Sequence, residues 1–227
     1  MREIVLDTET TGLDPASGHR VVEIACLELV NHLPSGEVFQ TYLNPERDMP
    51  EAAYQVHGLS AEFLAGHPLF AEKAQAFLDF IAESPLVIHN AEFDMRFLNA
   101  ELERIGRPAL DMARTVDTVR MARQKFPGAQ ANLDALCKRF GIDNSARTKH
   151  GALLDVELLA EVYLELIGGR EPGLTLASDP AAATAARTAA AAAARSPRPP
   201  RAHDPLPDEA AAHAAFLEKI ADPIWRK

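Results

Sequence analysis

A chain of 227 residues, 47% of them apolar, has room for one domain with an appendage or for two small domains. Its formal net charge of −10 is the wrong sign for gripping nucleic acid by overall charge, so a polyanionic ligand would have to be held locally. No run approaches the roughly 18 apolar residues of a membrane span, and no basic stretch leads into an apolar one at the N-terminus, which reads as a soluble, cytoplasmic protein with no membrane partner.

In chain order, "REIVLDTE" (2–9) is an apolar-rich strand that ends in acids. "RVVEIACLELVN" and "EVFQTYLN" read as the next two strands, with "NHLPSGE" (31–37) as the polar turn between them, so the three form an antiparallel meander. "FAEKAQAFLDFIAES" has helical spacing at Phe70, Ala74, Phe77, Leu78 and Ile81. "PLVIHN" is a short buried strand, followed by a helix from about Ala91 to Ile105, an extended piece near "RTVDT" and the helical "VRMARQKF". "NLDALCKRF", closed by Gly141, and "ALLDVELLAEVYLELI", closed by Gly168 and Gly169, are two further helices. Antiparallel strands first and strand–helix alternation later predict an α/β fold, a mixed sheet with helices on its faces. Cys26 and Cys137, far apart within apolar patterns, suit reduced core thiols.

Beyond Gly169 the composition changes. Residues 1–169 carry 15 Lys and Arg against 26 Asp and Glu, whereas residues 170–201 carry five Arg against two acids. The Ala-, Pro- and Arg-rich stretch over 170–207 reads as a flexible tether, since its alanines offer no larger apolar side chain for docking. In the closing segment, 208–227, Asp208 can cap a helix, Phe216, Leu217 and Ile220 make a short apolar edge, and Trp225 follows. A tether that ends in such residues suggests a docking peptide for another protein.

The acids carry the chemistry. Residues two apart on a strand share a face, so Asp7 and Glu9 are neighbours, and two like charges there need a cation or a shared proton. Taken alone, the pair is an exposed strand end. Asp94 follows the strand "PLVIHN" where a helix begins, the edge at which open α/β sheets place ligands, though by itself it is a helix N-terminal charge. Asp155 borders an apolar stripe of Leu154, Leu158 and Leu159, where an acid is either paired or bound to metal. Gly151 suggests that the helix starts after His150 and leaves its imidazole on a loop. Together they describe an oxygen-ligand site for Mg²⁺ or Mn²⁺ with a titratable base beside it.

"VLDTETTG", "VIHNAEFDMRFL", "NLDALCKRF" and "HGALLDVELLAEVYL" stand in order at suitable separations. They resemble the three exonuclease motifs of the DEDD superfamily, histidine subtype, on a ribonuclease-H-like fold, and are nearest to the branch that proofreads for bacterial replicative polymerases. The resemblance covers nearly all of residues 2–169. It implies that Asp7, Glu9, Asp94 and Asp155 hold two divalent cations, Mg²⁺ or Mn²⁺, and that His150 is the general base. It further implies that Asp7, Glu9, Thr10, Gly12, Leu13, Glu51, His57 and Phe93 meet the terminal nucleotide, with Phe93 stacking on a base, while Asn90 orders its motif. The implied reaction is 3′→5′ hydrolysis of single-stranded or frayed DNA. The implied partners are the DNA 3′ end, the polymerase (alpha) subunit through residues 208–227, the sliding clamp and a small accessory subunit. Relatives bind the clamp through a glutamine-led motif just past the domain; "GGREPGLTLAS" has Leu174 and Leu176 but no such glutamine. A free-standing RNA-trimming exonuclease on the same scaffold is the competing reading, separated from the first by the tether and terminal segment. A non-catalytic adaptor would tolerate decay of the acid set, which is intact.

Overall fold

The computed structural model describes residues 1–147, 149–169 and 205–220. The chain divides into two units, Met1–Pro172 and Gly173–Lys227. The first is built on a five-stranded mixed sheet. β1 (Arg2–Thr10) pairs antiparallel with β2 (Val21–Val30), which pairs antiparallel with β3 (Leu33–Tyr42). On its other side β1 runs parallel to β4 (Leu86–Ile88), and β4 parallel to β5 (Thr115–Asp117), giving the order β3-β2-β1-β4-β5. The apolar-rich first strand is therefore central, which is where a continuous hydrophobic run belongs.

The helices cover both faces. Ile4, Leu6, Ile24, Cys26 and Ile88 point to one side, against α3 (Phe70–Ile81) and α4 (Ala91–Arg104), where Phe77, Phe97 and Leu98 are fully buried. Val5, Ala25, Leu27 and Val87 point to the other, against α6 (Leu133–Phe140) and α7 (Ala152–Ile167), where Leu136, Cys137 and Val156 are fully buried. Alternation along β1 thus hands successive residues to different helix layers. Both cysteines are buried and unpaired. Among the described residues no helix is long and apolar enough to cross a membrane.

The structure departs from the sequence reading at two places in this unit. The turn between the second and third strands is not the whole of residues 31–37. It is the pair Asn31 and His32, both at positive φ (52° and 68°), and β3 already starts at Leu33. Two left-handed residues match the right-handed twist of a hairpin, and Pro34 is tolerated because β3 is an edge strand. The stretch "EAAYQVHGLSAEFL", assigned to no element in the sequence reading, contains α1 (Glu51–His57) and α2 (Ala61–Leu64). Its stop signal was present in Gly58, which closes α1 at φ 76°. The helix lacks a core-facing apolar stripe, because Ala52, Ala53 and Val56 face a cavity.

In the second unit, α8 (Pro207–Leu217) starts before Asp208: Leu206 is the N-cap, and its amide donates to Glu209 Oε2 at 3.0 Å. Phe216 is exposed. Apart from residues 205–207, the expected tether over 170–207 lies outside the described residues, as do Leu174, Leu176 and Trp225.

Candidate active site

The C-terminal end of β1 places Asp7 and Glu9 on the same side of the sheet as Val5, toward α7, and Thr8 on the opposite side, toward α4. Each helix answers with an acid in its first turn. Asp155 of α7 is 4% exposed and Asp94 of α4 is 3% exposed. Asp94 Oδ1 accepts two hydrogen bonds from Thr8, one from its amide at 3.0 Å and one from its hydroxyl at 2.7 Å. Strand β1 therefore supplies two of the acids and fixes the third.

The four carboxylates and His150 line one cavity of about 760 Å³. Donor atoms of Glu9, His150 and Asp155 all lie within 4.8 Å of one another, close enough to share an ion. Glu23, which is 2% exposed on β2 directly opposite Glu9, adds a further acid; it accepts from Gln40 Nε2 at 2.7 Å and from the Ala152 amide at 3.2 Å.

This density of negative charge shows in the acidities. Burial, then repulsion from Asp94, Glu9 and Asp155, pushes the Asp7 carboxyl well above the ordinary range. Burial and the neighbouring Asp155 and Glu23 raise Glu9 to about 8. Burial raises Asp94 to about 7 despite its bonds from Thr8. Asp155 is the exception: burial would raise it, but the two hydrogen bonds from the Arg147 guanidinium hold it below the usual value. Three buried acids short of cationic partners, all oxygen donors and all on one cavity, fit hard divalent cations.

His150 lies just before α7, as expected, on a loop tied to α1 by a hydrogen bond from its amide to the Val56 carbonyl at 3.1 Å. Lys149 reinforces that tie, its ammonium lying 4.8 Å from the centre of the Tyr54 ring. Thr10, Gly12, Leu13, His57 and Phe93 line the same cavity. Leu13 is 79% exposed, unusual for an apolar side chain beside a polar site. His57 is buried, its Nδ1 accepts from the Leu59 amide at 3.0 Å, and its Nε2 has no partner. Asn90, at the left-handed φ of 71°, turns β4 into α4. Glu51 is not brought to this cavity. It accepts a hydrogen bond from Gln55 on the outer side of α1 and lines a separate, smaller hollow with Tyr54 and Glu62.

Three residues of the site were missed in the sequence: Thr8, Glu23 and Arg147. Thr8 sits inside the Asp7–Glu9 motif, and strand alternation alone aims it away from those two acids, toward Asp94 on α4. Arg147, whose side chain is 7% exposed, gives Asp155 a two-pronged ion pair, and no local pattern marks it.

Fold and site together define an exonuclease: the family model of that description matches residues 4–163, and the chain belongs to this family. Among solved structures, the nuclease domain of 3′hExo, a DEDDh family member bound to rAMP, shares the fold with a TM-score of 0.64 at 18% identity, over 73% of this chain and 91% of that one. Within the family, the chain belongs with the proteins named DNA polymerase III subunit epsilon. That of Rickettsia conorii is 49% identical over 97% of this chain and 96% of its own length. That of Rickettsia felis is 58% identical over 75% and 76%, and that of Escherichia coli 47% identical over 74% and 72%.

Proposed function

We infer that the protein is a 3′→5′ exonuclease that removes nucleotides from single-stranded or frayed DNA ends, as the proofreading subunit of a replicative DNA polymerase. The observation that carries this reading is the convergence of Asp7, Glu9, Asp94, Asp155 and His150 on one cavity that is also lined by Leu13, Val56 and Phe93. The terminal nucleoside lies against the apolar part of the lining, where Phe93 offers a ring face for stacking and Leu13 an apolar wedge. His57, with a buried and unpartnered Nε2, supplies one polar contact there. That places the scissile phosphate over the acids. Asp7, Glu9, Asp94 and Asp155 would hold two divalent cations, Mg²⁺ or Mn²⁺, which offset the phosphate charge, lower the pKa of the attacking water and stabilise the leaving 3′-oxyanion.

His150 takes the proton of that water; half of its side chain is exposed, so it can pass the proton on to solvent. Thr8 keeps Asp94 in a fixed rotamer through its two hydrogen bonds, and the Val56 carbonyl holds the His150 backbone against α1. A mispaired end suits this site because a mismatch lowers the cost of unpairing. The polymerase relatives favour DNA over an RNA-trimming role.

The test is release of mononucleotides from 5′-labelled single-stranded DNA with Mg²⁺. The Asp7→Ala, Glu9→Ala double variant should abolish release; equal cutting by wild type and variant would overturn the assignment. His150→Ala should lower turnover by about 10²- to 10⁴-fold, the usual range for a general base, with DNA binding retained.

A further inference from the structure

The proposed chemistry leaves one strongly placed cation unused. Every guanidinium nitrogen of Arg147 is engaged. Nε donates to Asp155 Oδ1 at 2.6 Å, Nη2 to Asp155 Oδ2 at 2.7 Å, and Nη1 to Asp134 Oδ1 at 2.8 Å. Nη2 also lies 2.8 Å from Nδ1 of His150. A guanidinium has donors and no acceptor, so Nδ1 must be the accepting nitrogen, and a neutral His150 carries its proton on Nε2.

Two consequences follow for the same reaction. Both oxygens of Asp155 are engaged by a monovalent cation in bidentate geometry, the strongest form of this pairing. The only lone pair of the neutral imidazole is engaged as well: Nδ1 is occupied, and Nε2, bearing hydrogen, cannot accept a proton. This arrangement does not match a working site, in which Asp155 faces a divalent ion and His150 faces water. It does match a resting one. Asp134, on α6 with its side chain 60% exposed, gives the guanidinium an anion to stay with when it lets go of Asp155.

We propose that Arg147 is the resident cation of this centre: it holds Asp155 and His150 in place while divalent ions are absent, yields Asp155 as they enter, and by leaving frees His150 to act as base. Arg147 is on this view a positioning residue whose departure is part of metal loading. The inference rests on the metal-dependent reading above. The opposing possibility is a permanent support, since ligating carboxylates are commonly hydrogen-bonded from behind. The two differ in sign, because removing a support weakens metal binding whereas removing a competitor strengthens it.

The experiment uses the full chain and Mn²⁺ alone, with free ion followed by electron paramagnetic resonance. Arg147→Gln should bind Mn²⁺ about tenfold or more tightly than wild type, the scale of one charge-assisted hydrogen bond no longer displaced. It should also melt at a lower temperature in EDTA and gain more from Mn²⁺ than wild type does. Equal or weaker Mn²⁺ binding by the variant overturns the proposal. In case the variant does not fold, wild type supplies a second readout. The Arg147 Nε–H resonance should shift on Mg²⁺ addition as the Asp155 pairing is lost, and an unmoved resonance in the ion-saturated protein overturns the proposal. If wild type binds no Mn²⁺, the metal-dependent reading itself falls, an outcome distinct from equal binding by both proteins.

Discussion

Asp7, Glu9 and Asp94 sit where an anion is poorly solvated, and this sets a pH signature for the metal-free protein. Burial raises Glu9 from 4.5 to about 8 and Asp94 from 3.8 to about 7. Between those limits the unfolded chain has lost both protons and the folded chain keeps them, so the unfolded state binds fewer protons and stability falls as pH rises. In EDTA the melting temperature should therefore drop between about pH 5 and pH 8. Saturating Mn²⁺ should remove the drop by holding both groups ionised; a melting temperature that rises over this window in EDTA would contradict the assignment. Thr8 gives a sharper handle on one acid. Thr8→Val keeps the size and the amide bond to Asp94 but deletes the 2.7 Å hydroxyl bond. It should weaken Mn²⁺ binding by roughly tenfold or more, as loss of an outer partner of a metal ligand does, and titration of Mn²⁺ against the variant measures it.

The elements explain how such distant residues meet. β1 is central in the sheet and alternates, so its odd residues reach α7 and its even ones α4; both helices begin at the same end of the sheet and each presents an acid from its first turn. The opposite end of β1 is tied down by Glu3, 2% exposed, which accepts from the Tyr163 hydroxyl of α7 at 2.7 Å. His32 of the β2–β3 turn lies 2.7 Å from the other oxygen of Glu3, though out of line for a hydrogen bond. The Tyr163 bond ties α7, the helix that carries Asp155, to β1. Tyr163→Phe should lower stability by about 1–3 kcal/mol, because it strands a buried acceptor, and a urea midpoint identical to wild type would show that the bond contributes nothing. α1 carries part of the cavity wall and, through the Val56 carbonyl, steadies the histidine loop.

At the scale of the whole molecule, an acidic chain that acts on a polyanion needs cations at the point of contact, and the carboxylate cluster accounts for how it obtains them. Association with a polymerase is expected to depend on a different part, the segment 208–227. Deleting residues 202–227 should abolish co-purification with the polymerase subunit and leave digestion of free single-stranded DNA unchanged. Retained co-purification would move the docking surface to the exonuclease unit. Helix α8 in this segment exposes Phe216, an apolar side chain available to a partner.

Much of this was legible before the structure. The strand ending in Asp7 and Glu9, the helices that start near Asp94 and Asp155, and the loop carrying His150 follow from apolar periodicity and from glycine, which are local and set by backbone geometry. α1 was not legible, because its apolar side chains line a cavity and leave no core-facing period to read. Glu51 was placed with the substrate residues by the family resemblance, yet in α1 it lines a separate hollow. Sequence alone determined which residue types gather and on which kind of element, since those depend on neighbours a few positions away. Only the tertiary structure decided that Thr8 braces Asp94, that Glu23 crowds Glu9 and that Arg147 rather than solvent faces Asp155. Those pairings join residues brought together by sheet order and helix packing, and burial gives them strength that no local pattern encodes.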